Sequence, residues 1–141
     1  MYRGKKKTAN KVTDPIPTTL DEFGYIIKDD GSVRSKTTDL PYVYEYDKKD
    51  IDYNEARYRV FMDLIGDVIE ERLQQEPLLF QKVTVPKEAD PTKNEPHTYV
   101  YMTPNALTTT GNLLLFIAGT CTRIGQWSKR VLNEENIQVN I

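Results

Sequence analysis

LLLFIAGTCTRIGQWSKR, residues 113–130, joins an apolar run to a turn of small residues and then to a Gly-Gln-Trp triplet. A short, fully apolar run such as Leu113–Ile117 is typical of a central parallel strand that is buried on both faces. In many α/β enzymes a strand, a glycine turn and a helix N-terminus together form a site for an anion or an oxyanion. This segment therefore predicts an α/β sheet and a candidate site between Ala118 and Trp127.

A helical turn and a hairpin are predicted near the N-terminal end. Thr18 or Thr19, followed by two acidic residues, has the pattern of a cap for a short helical turn. Tyr25–Ile27 and the residues around Val33 are predicted to form the arms of a hairpin, because the Asp30-Gly31 pair between them supports positive φ.

A tyrosine-rich strand and the longest helix are predicted next. In PYVYEY, residues 41–46, every second residue is tyrosine, and this period of two predicts a strand. Asp52 with Glu55 three residues later has the pattern of a capping box, and a helical period continues to Gln75. The apolar face of this helix, which we expect to be core, comprises Val60, Phe61, Leu64, Ile65, Val68, Ile69 and Leu73.

The remaining predicted strands are residues 78–85 and 98–103, which are rich in β-branched and aromatic residues. A helix from about Gln126 should lead into another parallel strand, yet the sequence ends at Ile141. The predicted fold class is α/β, with a helix over one face of a sheet that is incomplete at the C-terminus. Its parts are the hairpin, the long helix, mixed strands, the central parallel strand and a final helix.

Charge is nearly balanced in total but unevenly distributed. The 141 residues fit one domain, and 19 basic against 21 acidic residues give a net charge of −2, which indicates no polyanionic partner. The first twelve residues hold no acid and five bases, Arg3, Lys5, Lys6, Lys7 and Lys11. We interpret residues 1–19 as a disordered basic tail, with a nuclear address or a nonspecific RNA or DNA contact as alternatives.

Few side chains are suited to catalysis or metal binding. Cys121, the single cysteine, excludes an internal disulfide and fits a reducing compartment. His97, the single histidine, lies in a predicted polar loop, so a Cys-His dyad would require this loop to fold back. No apolar run approaches the roughly 18 residues that cross a membrane. We therefore expect a nuclear protein, with the cytoplasm as a further location, and neither a metal nor a cofactor.

Residues 20–137 resemble, in collinear order, the N-terminal half of the Argonaute-binding-protein-two domain family. The most specific marker is Gly125-Gln126-Trp127 after the strand and glycine turn, followed by a basic residue, an aliphatic stretch and Asn-Glu. The second marker is the hairpin sequence FGYIIKDDGSVRS, an aromatic strand followed by Asp-Gly and a basic residue. Vertebrate co-transcriptional regulator relatives and the C-terminal part of some fungal histone deacetylases share this domain.

The resemblance implies both a fold and a role. The fold would be α/β-hydrolase-like, and residues 20–141 would be a truncated Argonaute-binding-type α/β domain. Fungal members associate with Argonaute in RNA-guided heterochromatin assembly, and animal relatives are nuclear factors linked to chromatin and splicing. Fold analogy alone does not fix function, so these implications remain expectations.

Two departures from the family pattern argue against catalysis. Where some relatives carry a histidine-glycine pair after the apolar strand, this chain has Ala118-Gly119, and the turn is one residue shorter. The C-terminal half, with its Gly-x-Ser-x-Gly-like elbow and any later acid and histidine, is absent from the sequence, and a hydrolase triad needs all three groups. We therefore expect no enzymatic activity.

The candidate binding residues are Gly119, Arg123, Gly125, Gln126 and Trp127. In one interpretation they form a relic pocket for a peptide or a small acid, because Gly119 permits close approach of a backbone and Arg123 can hold an anion. In the other they form a tight turn in which Gly125 and Trp127 seat the following helix against the sheet.

The functional prediction is a non-catalytic protein-interaction subunit, with Argonaute or a chromatin-silencing complex as the partner and RNA contacts through the basic tail. Two alternatives stay open: the remnant of an esterase-like hydrolase that lacks its catalytic half, and a small basic-tailed RNA-binding module. We also expect the isolated chain to be poorly soluble, because an uncovered apolar strand promotes aggregation.

Overall fold

The computed structural model describes residues 11–117 and Arg123. These residues belong to two compact units, one of residues 11–66 and one of residues 67–117 with Arg123. In chain order the elements are α1 (Leu20–Phe23), β1 (Tyr25–Ile27), β2 (Val33–Ser35), α2 (Ile51–Gln74), β3 (Gln81–Val85) and β4 (Thr98–Met102). Helix α2 begins in the first unit and ends in the second.

Helix α1 is held by a reciprocal cap at its N-terminus. The Thr19 hydroxyl accepts a hydrogen bond from the Glu22 amide at 3.1 Å, and the Glu22 carboxylate accepts one from the Thr18 amide at 2.7 Å. Gly24 ends the helix with a φ of 76°, a left-handed conformation that lacks strain because glycine has no Cβ. The predicted helical turn is confirmed, with Thr19 as its cap.

The predicted hairpin is also confirmed. Strands β1 and β2 are antiparallel, with Tyr25 opposite Ser35 and Ile27 opposite Val33. In the connecting turn Gly31 has a φ of 80°. The Asp30 carboxylate accepts from both the hydroxyl and the amide of Ser32, at 2.6 and 2.8 Å, and these bonds lower the pKa of Asp30.

Asp50 caps helix α2 through one carboxylate oxygen and binds the backbone of Val12 through the other. Oδ1 accepts from the Tyr53 amide at 3.0 Å, and Oδ2 accepts from the Val12 amide at 2.9 Å. The predicted capping box of Asp52 and Glu55 is therefore wrong, because the helix already begins at Ile51. Glu55 instead accepts from the Tyr44 hydroxyl at 3.1 Å.

The core of the first unit is built on aromatic rings. The rings of Tyr42 and Phe61 stack with centroids 4.0 Å apart, and Phe23 meets Phe61 edge-on at 5.1 Å. The other buried apolar side chains of this unit are Ile27, Val33, Met62 and Ile65. Of the helix face predicted to be core, Phe61, Ile65 and Ile69 are fully buried, while Val60, Leu64, Val68 and Leu73 are half-buried.

The strand predicted at residues 41–46 is wrong, because this segment forms no strand. Its tyrosines contact rings on α2 instead: Tyr42 stacks on Phe61, Tyr44 meets Tyr58 at 5.8 Å, and Tyr46 meets Tyr53 at 5.5 Å. The period of two thus places the tyrosines on one side of the segment. That side faces a helix, and no strand pairs with the backbone.

The second unit contains an antiparallel pair of strands. In the β3–β4 pair Gln81 lies opposite Met102 and Val85 opposite Thr98. The predicted strand at 98–103 is confirmed to within one residue. The strand predicted from Leu78 begins only at Gln81, because the preceding residues form a turn in which the Phe80 amide donates to the Leu73 carbonyl at the end of α2.

The prediction of a central parallel strand at Leu113–Ile117 is wrong. These residues form no strand, and each of their side chains is between 65% and 89% exposed. Within the described residues both sheets are two-stranded and antiparallel. The structure is α/β in the sense that it combines helices with sheets. The helix predicted from about Gln126 lies outside the described residues.

Candidate functional site

An arginine and three aromatic rings form a cluster in the first unit. The Arg57 Cζ atom lies 4.8 Å from the ring centroids of Phe23 and Tyr46 and 5.4 Å from that of Tyr42. Arg57 Nη1 also donates to the Tyr42 hydroxyl at 3.0 Å. A guanidinium over aromatic faces is attracted by the negative face of each ring. We call these four residues the Arg57 cluster.

Burial changes the chemistry of Tyr42 within the Arg57 cluster. Burial raises the pKa of Tyr42 to about 12, although the nearby Arg57 guanidinium acts in the opposite direction. Tyr42 therefore stays neutral at physiological pH. This cluster is not among the sites predicted from the sequence, although the alternating tyrosines of residues 41–46 include two of its members.

Several large apolar side chains near the Arg57 cluster are exposed. Tyr46 is 51% exposed, and its hydroxyl donates to the Asp14 carboxylate at 3.0 Å, which raises the pKa of Tyr46. The others within residues 40–51 are Leu40, Val43 and Ile51, with exposures of 59%, 57% and 71%. Together with Tyr46 they make four large apolar side chains that are more than half exposed within residues 40–51.

A network of charged side chains organises the second unit. Arg123 bonds two carboxylates of α2, with Nη2 2.7 Å from Asp67 Oδ1 and Nε 2.9 Å from Glu70 Oε1. The hydroxyl of Tyr101, on β4, donates to the other Glu70 oxygen at 2.8 Å. These are charge-assisted hydrogen bonds, which are shorter and stronger than neutral ones.

The hydrogen bonds of this network shift the pKa values of Glu70, Tyr101 and Arg123. Burial acts to raise the pKa of Glu70, but the bonds from Arg123 and Tyr101 outweigh it and hold the pKa below its usual range. Burial and the Glu70 acceptor raise the pKa of Tyr101 to about 12. The bond to Glu70 is the largest cause that raises the pKa of Arg123. All three groups therefore keep their bonded ionisation states at neutral pH.

Arg123 is one of the predicted binding residues, and its guanidinium already bonds two carboxylates. An incoming anion would have to compete with Asp67 and Glu70, so anion binding by Arg123 remains a prediction. The two acids precede Arg123 by 56 and 53 residues, and no local sequence pattern indicates these contacts.

His97 is exposed and immediately precedes β4. Its Nδ1 is 2.8 Å from the Glu95 carbonyl oxygen, and its Nε2 is 3.2 Å from the Tyr99 hydroxyl. Lys82 Nζ lies 4.2 Å from the centroid of the same Tyr99 ring. Cys121, the other member of the dyad considered above, lies outside the described residues.

Most of the predicted site residues lie outside the part of the chain that the structure describes. These are Gly119, Gly125, Gln126 and Trp127 of the binding set and Arg3, Lys5, Lys6 and Lys7 of the tail. Lys11 is described and exposed. In residues 11–117 and Arg123, no group of three or more His, Cys, Asp or Glu side chains is arranged to hold a metal ion. No helix in this same part of the chain combines the length and the apolar character that a membrane span needs.

Comparisons with known proteins place the chain in a family. The family model of the Arb2 domain matches residues 16–140. The cotranscriptional regulator ARB2A homolog of Gallus gallus is 34% identical over 123 residues, which cover 86% of this chain and 29% of that protein. Cotranscriptional regulator ARB2A of Homo sapiens is 31% identical over the same shares of the two chains.

A third relative, named Putative protein ARB2BP, of Homo sapiens, is 31% identical over 84% of this chain and 33% of that protein. The chain thus spans about a third or less of the length of these curated relatives. No solved structure matches it. Because the family model covers nearly the whole sequence, this chain belongs to the Arb2 domain family.

Proposed function

We propose that this chain is a non-catalytic protein-interaction subunit that acts in the nucleus in co-transcriptional regulation or in small-RNA-directed chromatin silencing. The observation that carries the proposal is the alignment of 86% of the chain with relatives named cotranscriptional regulators. An Argonaute protein or another chromatin-silencing subunit is the proposed partner. The proposed fold of the whole domain is α/β-hydrolase-like.

The first unit offers a surface that supports protein association. Four large apolar side chains within residues 40–51 are more than half exposed. The guanidinium of Arg57 packs on the ring of Tyr46, with its Cζ atom 4.8 Å from the ring centroid, and so restricts the position of that ring. Rigid, partly exposed aromatic rings make effective interface anchors, because little rotamer entropy is lost when they bind.

A second set of proposed binding residues lies within residues 119–127 and comprises Gly119, Arg123, Gly125, Gln126 and Trp127. Tryptophan and arginine are enriched among residues that dominate interface energies, so Trp127 is the first of them to test. The basic tail, Arg3, Lys5, Lys6, Lys7 and Lys11, adds electrostatic attraction to RNA or to an acidic partner.

The test is affinity capture of the tagged full chain from its native cells, with and without nuclease, read by mass spectrometry. We expect an Argonaute or a chromatin-silencing subunit in both samples. For Trp127→Ala we expect the amount of recovered partner to fall by at least about tenfold. Leu107→Ala is the control, because Leu107 is 84% exposed and lies outside the proposed site. Recovery of chaperones alone would contradict the proposal, as would ester hydrolysis by the purified chain.

A further inference from the structure

One threonine of this chain is followed directly by a proline. The sequence has eight prolines, and Pro104 is the one that comes after a threonine or a serine, namely Thr103. The pair lies immediately after β4, which ends at Met102, so neither residue takes part in the pairing of β3 with β4. Both residues are exposed. The pair is therefore accessible to an enzyme in the folded chain.

The backbone around this pair suits an enzyme that binds its substrate in an extended form. The ring of Pro104 disfavours a helical conformation at Thr103 and favours an extended one. The turn that follows begins at Pro104, and the Ala106 amide donates to the Thr103 carbonyl at 3.0 Å. Residues 103–105 and 107–117 are exposed, so nearly all of the chain after Thr103, up to residue 117, is accessible. An enzyme can therefore reach Thr103 from its C-terminal side.

The surroundings of Thr103 in sequence are uncharged. Residues 98–122 contain no Asp, Glu, Lys, Arg or His, so a kinase that recognises acids or bases beside its target finds none here. A kinase pocket with apolar walls and no acceptor for a backbone N–H instead selects proline after the target hydroxyl. Any other residue would bring an N–H that must give up its water. Thr103 therefore fits the proline-directed class of kinases.

We propose that Thr103 is a phosphorylation site for a proline-directed serine/threonine kinase. The Thr103 hydroxyl oxygen attacks the γ-phosphorus of ATP, and the bond from that phosphorus to the β–γ bridging oxygen breaks, so that ADP leaves. The hydroxyl proton passes to the catalytic aspartate of the kinase. The phosphate brings about two negative charges into an otherwise uncharged stretch. This inference does not depend on the proposed function.

Phosphorylation of the purified full chain by a proline-directed kinase, with ATP labelled at the γ-phosphate, tests the proposal. We expect about one phosphate per chain, which mass spectrometry of peptides assigns to Thr103. Thr103→Ala should lose the label, whereas Thr103→Ser keeps a hydroxyl and should retain it. Pro104→Ala keeps the target hydroxyl and removes only the proline, so the initial rate of labelling should fall by at least about tenfold.

The matched control is Thr110→Ala. Thr110 is an exposed threonine of the same uncharged stretch, but glycine follows it, so this variant should be labelled as fast as the unchanged chain. Unfolding of a variant would expose hydroxyls to the kinase, so slower labelling of Pro104→Ala reports recognition of the proline. The proposal is overturned if the unchanged chain takes up no label, if the label lies on another residue, or if Pro104→Ala is labelled as fast as the unchanged chain.

Discussion

At the scale of single residues, Arg57 explains why the aromatic residues of the first unit are arranged as they are. Its guanidinium lies over three rings, and it also bonds the hydroxyl of the fully buried Tyr42. A buried hydroxyl without a partner costs about 1–3 kcal/mol, so Arg57 makes the burial of Tyr42 possible. Tyr42 in turn supports Phe61, the stacked ring on α2.

Replacement of Tyr42 should separate the role of its ring from that of its hydroxyl. We expect Tyr42→Ala to lower the free energy of unfolding by about 3–5 kcal/mol, because it removes a fully buried aromatic ring. Tyr42→Phe keeps the ring and should cost about 1 kcal/mol. Urea denaturation of the full chain measures both values, with the half-exposed Tyr46→Ala as the control. Equal losses for the two Tyr42 variants would contradict the assigned core.

Glu70 gives a prediction with a defined pH dependence. Its folded pKa lies below the usual 4.5, so its contribution to stability is present above about pH 4.5 and is lost as the pH falls through the folded value. Glu70→Gln should therefore lower the free energy of unfolding by about 1 kcal/mol at pH 7, and by much less near pH 3. Denaturant unfolding at both pH values measures this difference.

The control for Glu70 is its neighbour Glu71, which is exposed and accepts a hydrogen bond from the Gln75 side chain at 3.1 Å. Glu71→Gln should change the stability little at either pH. In Glu70→Gln the pKa of Tyr101 should also fall below about 12, because burial, the largest cause of its raised value, remains while the charged acceptor is removed. An unchanged Tyr101 titration, followed by NMR, would rule out the proposed coupling.

At the level of the elements, helix α2 is capped by a different aspartate from the one that the sequence pattern predicts. Asp50 and Asp52 both precede apolar helical residues, and the spacing to Glu55 favoured Asp52. In the structure the cap is Asp50, and its second oxygen also bonds the Val12 amide, 38 residues away in sequence. Such a distant contact leaves no mark in the local pattern.

Substitution of the two aspartates tests this assignment. Asp50→Ala removes the cap and should lower the thermal stability by an amount equivalent to about 1–2 kcal/mol. Asp52→Ala removes an exposed acid from the first turn and should cost no more than about 0.5 kcal/mol. Thermal unfolding followed by circular dichroism compares the two variants. A larger effect at Asp52 would restore the capping box that the sequence predicted.

The elements that were predicted correctly are those fixed by local signals. The Asp30-Gly31 turn, the Thr19 cap and the β-branched and aromatic residues of β4 each act within a few residues of the structure they determine. Residues 41–46 and Leu113–Ile117 were assigned to strands from periodicity or composition alone. A strand also needs a neighbouring strand, and in the described structure neither segment has one.

The candidate site was less predictable than the fold. Arg123 was identified from its position near the glycine turn, but its partners on α2 and the hydroxyl of Tyr101 next to them depend on the folded chain. The Arg57 cluster likewise joins α1, the tyrosine segment and α2. Contacts between elements that are far apart in sequence follow from tertiary packing, and a single sequence carries no direct signal for them.

Across the whole molecule, net positive charge is concentrated at the N-terminal end. Five bases lie in the first twelve residues, and the remaining chain holds 14 bases and 21 acids. A polyanion such as RNA would therefore bind to the basic tail and would be repelled by the net negative charge of the rest of the chain. The RNA-binding alternative therefore depends on the tail.

Neutralisation of the tail tests the contact with RNA. Replacement of Lys5, Lys6 and Lys7 by glutamine should weaken binding of a single-stranded RNA and reduce the slope of log K against log salt concentration by about 2. Replacement of the exposed pair Lys48 and Lys49 should leave the slope nearly unchanged. Fluorescence anisotropy at several salt concentrations measures the slope. Equal changes in the two variants would show that the tail has no special role.

We propose that this member of the Arb2 domain family acts by binding another protein. The most direct test is size-exclusion chromatography of the purified full chain with a purified Argonaute protein from the same cells, both freed of nucleic acid. We expect a complex that forms without RNA and is lost with Trp127→Ala but not with Leu107→Ala. No complex, or one that forms only after RNA is added, would show that protein binding is not the role of this chain.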